Sequence, residues 1–479
     1  MGALPLPIAS YQLSSPVGSS ARLVNCFSSP APQGGKSAVI ITRSAGIATF
    51  ANLDSSGAAG GRGAINMNGV LYALVHETLY RVDSAGAGTN VGTITGTGRV
   101  RMATNGTNFV IVRPSDNVGF WCNGSATTQI TDAVFTGFGA ADVEFIHGYY
   151  IFRRPSTGQF FQSQLNETSF TDFDAADIAE AEQVPDNLVA LGVDHEEVLL
   201  FGTASAEVWY DAANDTGSSF SKSPGGLVSL GIAGSESHGK QDNSTFWLAN
   251  DRTIRRLTGA TPQKVSQWGI DTQLNKLTTI SDCYTVPFIQ EGHMMLAFVH
   301  TTDERTFVYD CTTQQWHERS SYVSASSSTR QRQWRVSHCV ECYGKQIVLD
   351  TLSGKLGYLS TETLDEWGNP LRMSWTYQPV YAKNNLAIHR RFEIVCNVGH
   401  GLASGQGSDP KVTLEISDDG GETWRTMPER SLGLRGQYKA NVFWDMLGSA
   451  RQRVYRVTIT DPIPVMVVDT QLTVEGAAW

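Results

Sequence analysis

Charge is scarce in this chain of 479 residues. Asp, Glu, Lys and Arg together make up 17%, against about 25% in an ordinary globular domain. Basic residues are the shorter supply: 36 Lys and Arg face 46 Asp and Glu, for a net charge of −10. A general nucleic-acid-binding surface is therefore excluded. No run reaches the ~18–20 apolar residues of a membrane helix. The start, Met1 to Tyr11, lacks the basic n-region and long apolar core of a secretion signal. Aromatics stand at 10%, and no segment combines high charge with few aromatics, so disorder is excluded as the main state. The seven cysteines are odd in number and scattered from Cys26 to Cys396, which argues against a disulfide framework. They read as reduced, mostly buried thiols of a chain folded in a cytosol. The Asn-x-Ser/Thr triplets at Asn105, Asn123, Asn166, Asn214 and Asn243 are then expected to be unused.

Catalytic and ligand-binding signatures are missing as well. The ten histidines form no H-E-x-x-H or H-x-H cluster, and G-x-S-x-G does not occur. His293 and His317 read as packing or turn residues. Cys339 and Cys342 form a C-x-x-C beside His338, but a zinc site wants a second pair and a thioredoxin-like site wants a βαβ setting. Two ordinary thiols near a turn are the expectation. The glycine-rich stretch Gly57 to Gly63 lacks the Gly-Lys-Ser/Thr ending of a phosphate-binding loop and reads as a flexible loop. No catalytic residue, cofactor or metal site is expected. A glycosidase carboxylate pair is not singled out by anything in the sequence.

What the chain does have is a recurring hairpin. Asn68-Gly69 precedes Val70–Val75 and Thr78–Val82, and Asn105-Gly106 precedes Phe109–Val112 and Val118–Trp121. His147-Gly148 leads into Tyr149–Phe152, then Ser156-Thr157-Gly158, then Phe160–Ser163. The fourth unit is Val198–Gly202 with Ala206–Asp211, and the fifth is Thr245–Ala249 with Thr253–Leu257. Gly292 opens Met294–His300 and Arg305–Asp310, and Tyr343-Gly344 opens Lys345–Leu349 and Lys355–Leu359. Alternating apolar residues, β-branched and aromatic side chains, and Gly, Asn or Asp turns mark each as a hairpin. The turns recur every 37 to 52 residues, the period of propeller blades with about four strands each. The expected class is all-β: a β-propeller of six or seven blades, with a string of unrelated antiparallel sheets as the alternative. Helix signals are few. Phe173 to Gln183, Ala-rich and acidic at its start with Pro185 beyond it, is the best helix candidate and reads as a connector.

Near Leu364 the rhythm changes to longer, more widely spaced strands: Arg390–Cys396, Lys411–Ser417, Glu422–Met427, Arg453–Thr460 and Val465–Val474. From Leu371 onward 12 basic residues balance 11 acidic ones. A C-terminal β-sandwich-like domain is expected. The division reads as an N-terminal arm and first strands at 1–60, a propeller at 61–364 and the sandwich at 365–479.

Two local features remain. The stretch 141–250 carries 17 acidic and 4 basic residues, a balance of −13 that leaves the rest of the chain near +3. Such a lobe repels DNA and could coat a channel through which a polyanion slides. Asp142, Glu144, Asp194, Glu196, Glu197, Glu207 and Asp211 are the candidate lining residues. The second feature is Ser417-Asp418-Asp419-Gly420-Gly421-Glu422-Thr423-Trp424, an Asp-box pattern S-x-D-x-G-x-T-W. It reads as a structural hairpin turn in which Asp419 accepts backbone N–H groups, Gly421 takes positive φ and Trp424 plugs the base, with Ser417 and Thr423 completing it.

The long-range order of landmarks resembles a known family. Val143 to Tyr149, Ser163 to Asn166, Pro185-Asp186, Leu200 to Gly202 and Ala206 to Trp209 come first. Phe246 to Leu248, Glu291 to His293, Thr306 to Asp310 and Gln315 to Arg319 follow. The Asp-box, Leu447-Gly448 with Arg451, Arg453 to Arg456, and Asp461-Pro462 continue the series. Over roughly residues 60–475 this string is similar to the packaged-DNA stabilisation, or tail hub (nozzle), proteins of P22-type short-tailed phages. Arg255-Arg256, where a Gly-rich turn is expected, and Cys339–Cys342 depart from that pattern. The resemblance implies a virion tail subunit, assembled in the host cytoplasm, that forms a homohexameric tube below the portal and its adaptor. It also implies that the tube retains packaged DNA, receives tail fibres or spikes and a needle, and conducts double-stranded DNA without specific binding or membrane insertion. A sialidase-like glycosidase propeller and a glycan-binding propeller are the alternatives.

Overall fold

The computed structural model describes residues 2–15, 17–55, 60–181, 183–325, 328–381 and 385–476, without the side chains of 324–325 and 328–330. Seven antiparallel blades follow one another. Five are four-stranded sheets spanning 61–93, 101–129, 142–180, 188–228 and 238–264, and the sixth has four strands over 283–318, the last of which also touches Ser20–Val24. The seventh is built from Val336–Cys342, Lys345–Asp350 and Gly354–Ser360, and its fourth strand is Gly46–Asp54 from the start of the chain. The hairpins legible in the sequence are the second and third strands of the seven blades.

Turn chemistry explains why these segments fold back so tightly. Asn68-Gly69, His147-Gly148, Glu291-Gly292 and Tyr343-Gly344 each join the first and second strands of a blade, and both residues of each pair have positive φ. That is the type I′ conformation whose twist matches paired strands. The registers Met67↔Val70, Ile146↔Tyr149, Gln290↔His293 and Cys342↔Lys345 place two residues in each loop.

Each blade buries both faces against its neighbours, and the apolar clusters fall between blades. Leu74 and Leu79 pack with Phe109 and Ile111, Val110 and Val112 with Phe152 and Phe161, and Leu191 and Leu200 with Ile151 and Phe160. The circle closes where Leu71, Ala73 and Val75 of the first blade meet Ile347, Leu349 and Leu356 of the seventh.

The C-terminal unit is a sandwich of two sheets. One runs Cys26–Pro30, Val39–Arg43, Met466–Gly476, Ala387–Cys396, Val442–Asp445; the other runs Ser20–Val24, Met373–Thr376, Gln452–Ile459, Lys411–Ser417, Arg425–Thr426. Trp375, Phe392, Trp444 and Tyr455 fill its core together with Leu23, Cys26 and Ile41. The first 60 residues, expected to precede the propeller as an arm and first strands, are thus shared out: 20–43 supply strands to the sandwich and 46–54 complete the last blade.

Two local expectations change. Described residues 173–181 form no helix. Asp174 Oδ1 accepts the Ala176 N–H at 2.8 Å, a side-chain turn that competes with helix formation, and Ile178–Glu180 pair with Gln159–Phe161 as a blade's outer strand. Helices lie instead at Ala133–Phe138, capped by Asp132, and at Trp268–Asn275. In the Gly57–Gly63 stretch, 57–59 lie outside the described residues, whereas Gly61–Gly63 begin the inner strand of the first blade, where Gly63 lets Val100 and Met102 approach.

Candidate channel residues and the propeller axis

The inner strands of the blades converge on the propeller axis, and charged side chains cross it. Arg99, just before the second blade, pairs with Glu236 ahead of the fifth, donates to Ser337 O of the seventh at 2.8 Å and lies 4.2 Å above the Tyr284 ring of the sixth. Arg101 Nε donates to Asp142 Oδ1 at 2.9 Å, and its Nη2 reaches Ser235 O. Asp142 Oδ2 accepts the Leu191 N–H of the fourth blade at 2.9 Å. The axis therefore holds a stack of paired charges that ties blades two to seven together. A cleft of about 420 Å³ at one end of it is lined by Arg62, Arg99, Glu236, Asp282 and Tyr284.

Sequence reasoning did not find Arg99, Arg101 or Glu236. The available signal was a charged residue at the start of an inner strand, a position that faces neighbouring blades rather than water. His238 and His338 complete the group. Burial, reinforced by Arg101, pulls His238 down to about 4. Burial and then Arg99 hold His338 well below the usual imidazole range.

The seven candidate lining carboxylates do not gather in one place. Asp142 and Glu144 share the inner strand Asp142–Ile146 near the axis. Burial, with Asp142 next in weight, raises Glu144 to about 7, so it is only partly charged at neutral pH. Asp194 ends the inner strand of the fourth blade, where it accepts the Thr245 N–H and lies 2.8 Å from His195 Nδ1. Glu196 is exposed on the adjoining turn, and Glu197 starts the second strand. Glu207 and Asp211 lie on the third strand. There Glu207 is buried and accepts the Gln183 N–H and the Trp209 indole N–H, both at 2.9 Å. Asp211 accepts the Ala213 N–H and sits 3.4 Å from His147.

Substituting Asp142 with Ala leaves Arg101 without its closest partner in a nearly enclosed site. A loss of about 3–5 kcal/mol is expected in urea unfolding. Arg101→Met combined with Asp142→Leu should recover most of it, since the apolar pair leaves no orphan charge.

The Asp-box turn joins Lys411–Ser417 to Arg425–Thr426 in the sandwich. Asp419 Oδ1 accepts Ser417 Oγ at 2.6 Å and the N–H groups of Glu422 and Thr423 at 3.0 Å; the Thr423 hydroxyl donates to Oδ2. Gly421 has φ 110°, and the Trp424 indole N–H donates to its carbonyl at 2.8 Å. Hydrogen bonds from Ser417 and Thr423 hold the Asp419 carboxyl far below its usual range. Its oxygens are committed to the turn, an arrangement suited to holding a loop. Cys339 and Cys342 lie on one strand, with Cys339 Sγ toward Gln346 and Cys342 Sγ toward Gly69 O. Burial raises both thiols, Cys339 to about 12.

Two family profiles match the chain nearly end to end. The one described as bacteriophage P22 Gp10, beta-propeller, covers residues 18–364, and the one described as bacteriophage P22 Gp10, beta-sandwich, covers 374–475. The chain belongs to the P22 Gp10 family. As a Gp10-family member it is a structural tail protein of a phage and a component of the virion tail. Its two architectural units, propeller and sandwich, are those the family descriptions name. No curated protein matches the chain. Among solved structures it is similar to a selenomethionine-substituted virginiamycin B lyase from Staphylococcus aureus, at 10% identity over 64% of this chain and 97% of that one, with a TM-score of 0.41. It is also similar to the Myceliophteria thermophila Cps50 (Swd1) beta-propeller domain, at 9% identity over 66% and 99%, with a TM-score of 0.42. Neither likeness bears on activity.

Proposed function

We propose that this Gp10-family protein is the tail hub subunit that extends the portal–adaptor channel. In this reading about six copies form a tube in the host cytoplasm, bind the adaptor, and carry fibres or spikes and a needle. The tube retains packaged DNA and conducts it during ejection, without catalysis by this chain. The observation that carries the reading is the pair of family matches, which together span both domains.

The geometry adds a constraint. The propeller axis is crossed by Arg99–Glu236 and Arg101–Asp142, whereas the major groove of a duplex alone is about 12 Å wide. DNA would therefore pass between subunits, not through a propeller. Exposed carboxylates such as Glu196 would act there by keeping the polyanion from sticking. Mixing the purified full chain with a portal–adaptor assembly, followed by electron microscopy, tests this reading. Rings of about six copies below the adaptor are expected. A protein that stays monomeric and unbound with adaptor present would overturn it.

A further inference from the structure

A cleft of about 380 Å³ lies where the sixth blade meets the sandwich, and its lining is strongly basic on an acidic protein. Arg22, Arg305, Arg332 and Arg456 line it with Lys276, Arg319 and Arg372, against only Glu304 and Glu318. Some of this charge is answered locally. Arg22 binds Glu318 through two hydrogen bonds of 2.7 and 2.8 Å, and Arg305 binds the same carboxylate at 3.0 Å. Arg456 is held by Glu415 and stacks 4.0 Å from the Trp424 ring.

Arg332 lies 3.4 Å from Glu304 and Arg319 lies 3.9 Å from Glu366, which leaves Arg372 and Lys276 without a carboxylate partner among the described residues. Arg372 reaches only Thr458 Oγ1 at 3.5 Å, and Lys276 is exposed. Arg319 is 1% exposed, and its Nε and Nη1 make no hydrogen bond. Even counting Glu366 and Glu415 behind the lining, positive charge exceeds negative by three. Trp268, 65% exposed, starts the helix Trp268–Asn275 that ends beside Lys276. It stands ~12 Å along the helix from Lys276 at 1.5 Å per residue. Arg and Trp are the residues most often found to anchor protein interfaces.

The complementary surface is on the same chain. Between Pro155 and Ser221 there are thirteen Asp and Glu and no Lys or Arg. Asp172, Asp174, Glu180 and Asp215 are exposed on neighbouring outer loops and strands of blades three and four, which Gln162 ties together through Ser218 and Ser219. This rim lies two to three blade positions from the sixth blade in a circle of seven, so one chain cannot bring the two patches together. Two different patches on one subunit make a head-to-tail contact, the kind that generates a ring where the rotation between copies closes.

We propose that the cationic cleft at the blade-six–sandwich junction receives the acidic rim of blades three and four of a second copy. The proposal rests on the ring-forming reading and names its interface. The test uses two charge-reversed full chains, Lys276→Glu with Arg372→Glu in the cleft, and Asp172→Lys with Asp174→Lys on the rim. Circular dichroism checks that both fold. Mass photometry with adaptor present should show at least a tenfold loss of rings for each variant alone. Mixed one to one they should form rings again, because each altered cleft then meets an altered rim. Rings that survive both reversals would sink the interface while leaving the hub reading intact. Absence of rings from the unaltered chain would sink both. Cleft-dependent binding of a short DNA duplex, with the rim variant assembling normally, would assign the cleft to DNA instead and overturn the proposal.

Discussion

A chain that begins at residue 61 should fail to reach a stable native state, although it retains all seven sequence-evident hairpins. The seventh blade would lose Gly46–Asp54, leaving the Gly354–Ser360 strand as a bare edge. The sandwich would lose the strands Ser20–Val24, Cys26–Pro30 and Val39–Arg43 with the short strands paired ahead of them, and with them Leu23, Cys26 and Ile41 from its core. Phe27 and Ile47 would also leave the cluster between blades six and seven. At ~1.5–3 kcal/mol for each large buried apolar side chain, Leu23, Phe27, Ile41 and Ile47 alone represent about 6–12 kcal/mol. That matches the whole ~5–15 kcal/mol stability of a typical domain. Buried Arg43 adds to the loss, because it donates to the Asp461 and Ile463 carbonyls. The expected result is aggregated protein without near-ultraviolet dichroism, partly rescued by supplying residues 2–55 as a separate peptide. A cooperative thermal transition within a few degrees of the full chain would refute this account.

The same strands mark the boundary of what the sequence makes legible. The second and third strands of each blade declare themselves because they are apolar, adjacent and often joined by turns such as Asn68-Gly69, whose φ signs only a few residues tolerate. The closing strand Gly46–Asp54 carries no such local signal, for its partner lies some 300 residues away and no turn joins them. The acidic helix candidate failed for a related reason. Asp174 favours a side-chain turn, and the exposed edge of Gln159–Gln162 offered Ile178–Glu180 a ladder. Charge density along 141–250 was visible, but its direction was not. Adjacent strand residues face opposite ways, and Asp142 finds its partner Arg101 on another blade. The basic cleft was invisible for the opposite reason: Arg22, Lys276, Arg305, Arg372 and Arg456 are spread over more than 430 residues of sequence.

Lowering the pH from 7.5 to 5 should destabilise the protein by several kcal/mol. Burial is the main reason that His238, His300 and His389 each titrate at about 4 in the folded chain. An unfolded histidine titrates near 6.5, so the unfolded state takes up the proton first. The stability these groups contribute is complete above about 6.5 and is lost as pH falls through 4. At pH 5 each such histidine costs about 2 kcal/mol, or roughly 6 kcal/mol for the three, and His338 acts in the same direction. Glu144 works against them. Raised to about 7, it gains a proton in the folded state first and returns up to roughly 3 kcal/mol over the same window. Glu318, held at about 2 despite its burial by Arg22 and Arg305, enters only below this range. The histidines win by number, and a drop in Tm on the order of 5–10 °C is expected by calorimetry. His300 offers the cleanest control, because neither ring nitrogen makes a hydrogen bond and the ring packs against Phe307. His300→Phe should remove about a third of the histidine contribution while leaving the pH 7.5 value nearly unchanged. A flat or rising Tm between pH 7.5 and 5 would mean that the buried imidazoles accept protons without opening the blades, which their packing argues against.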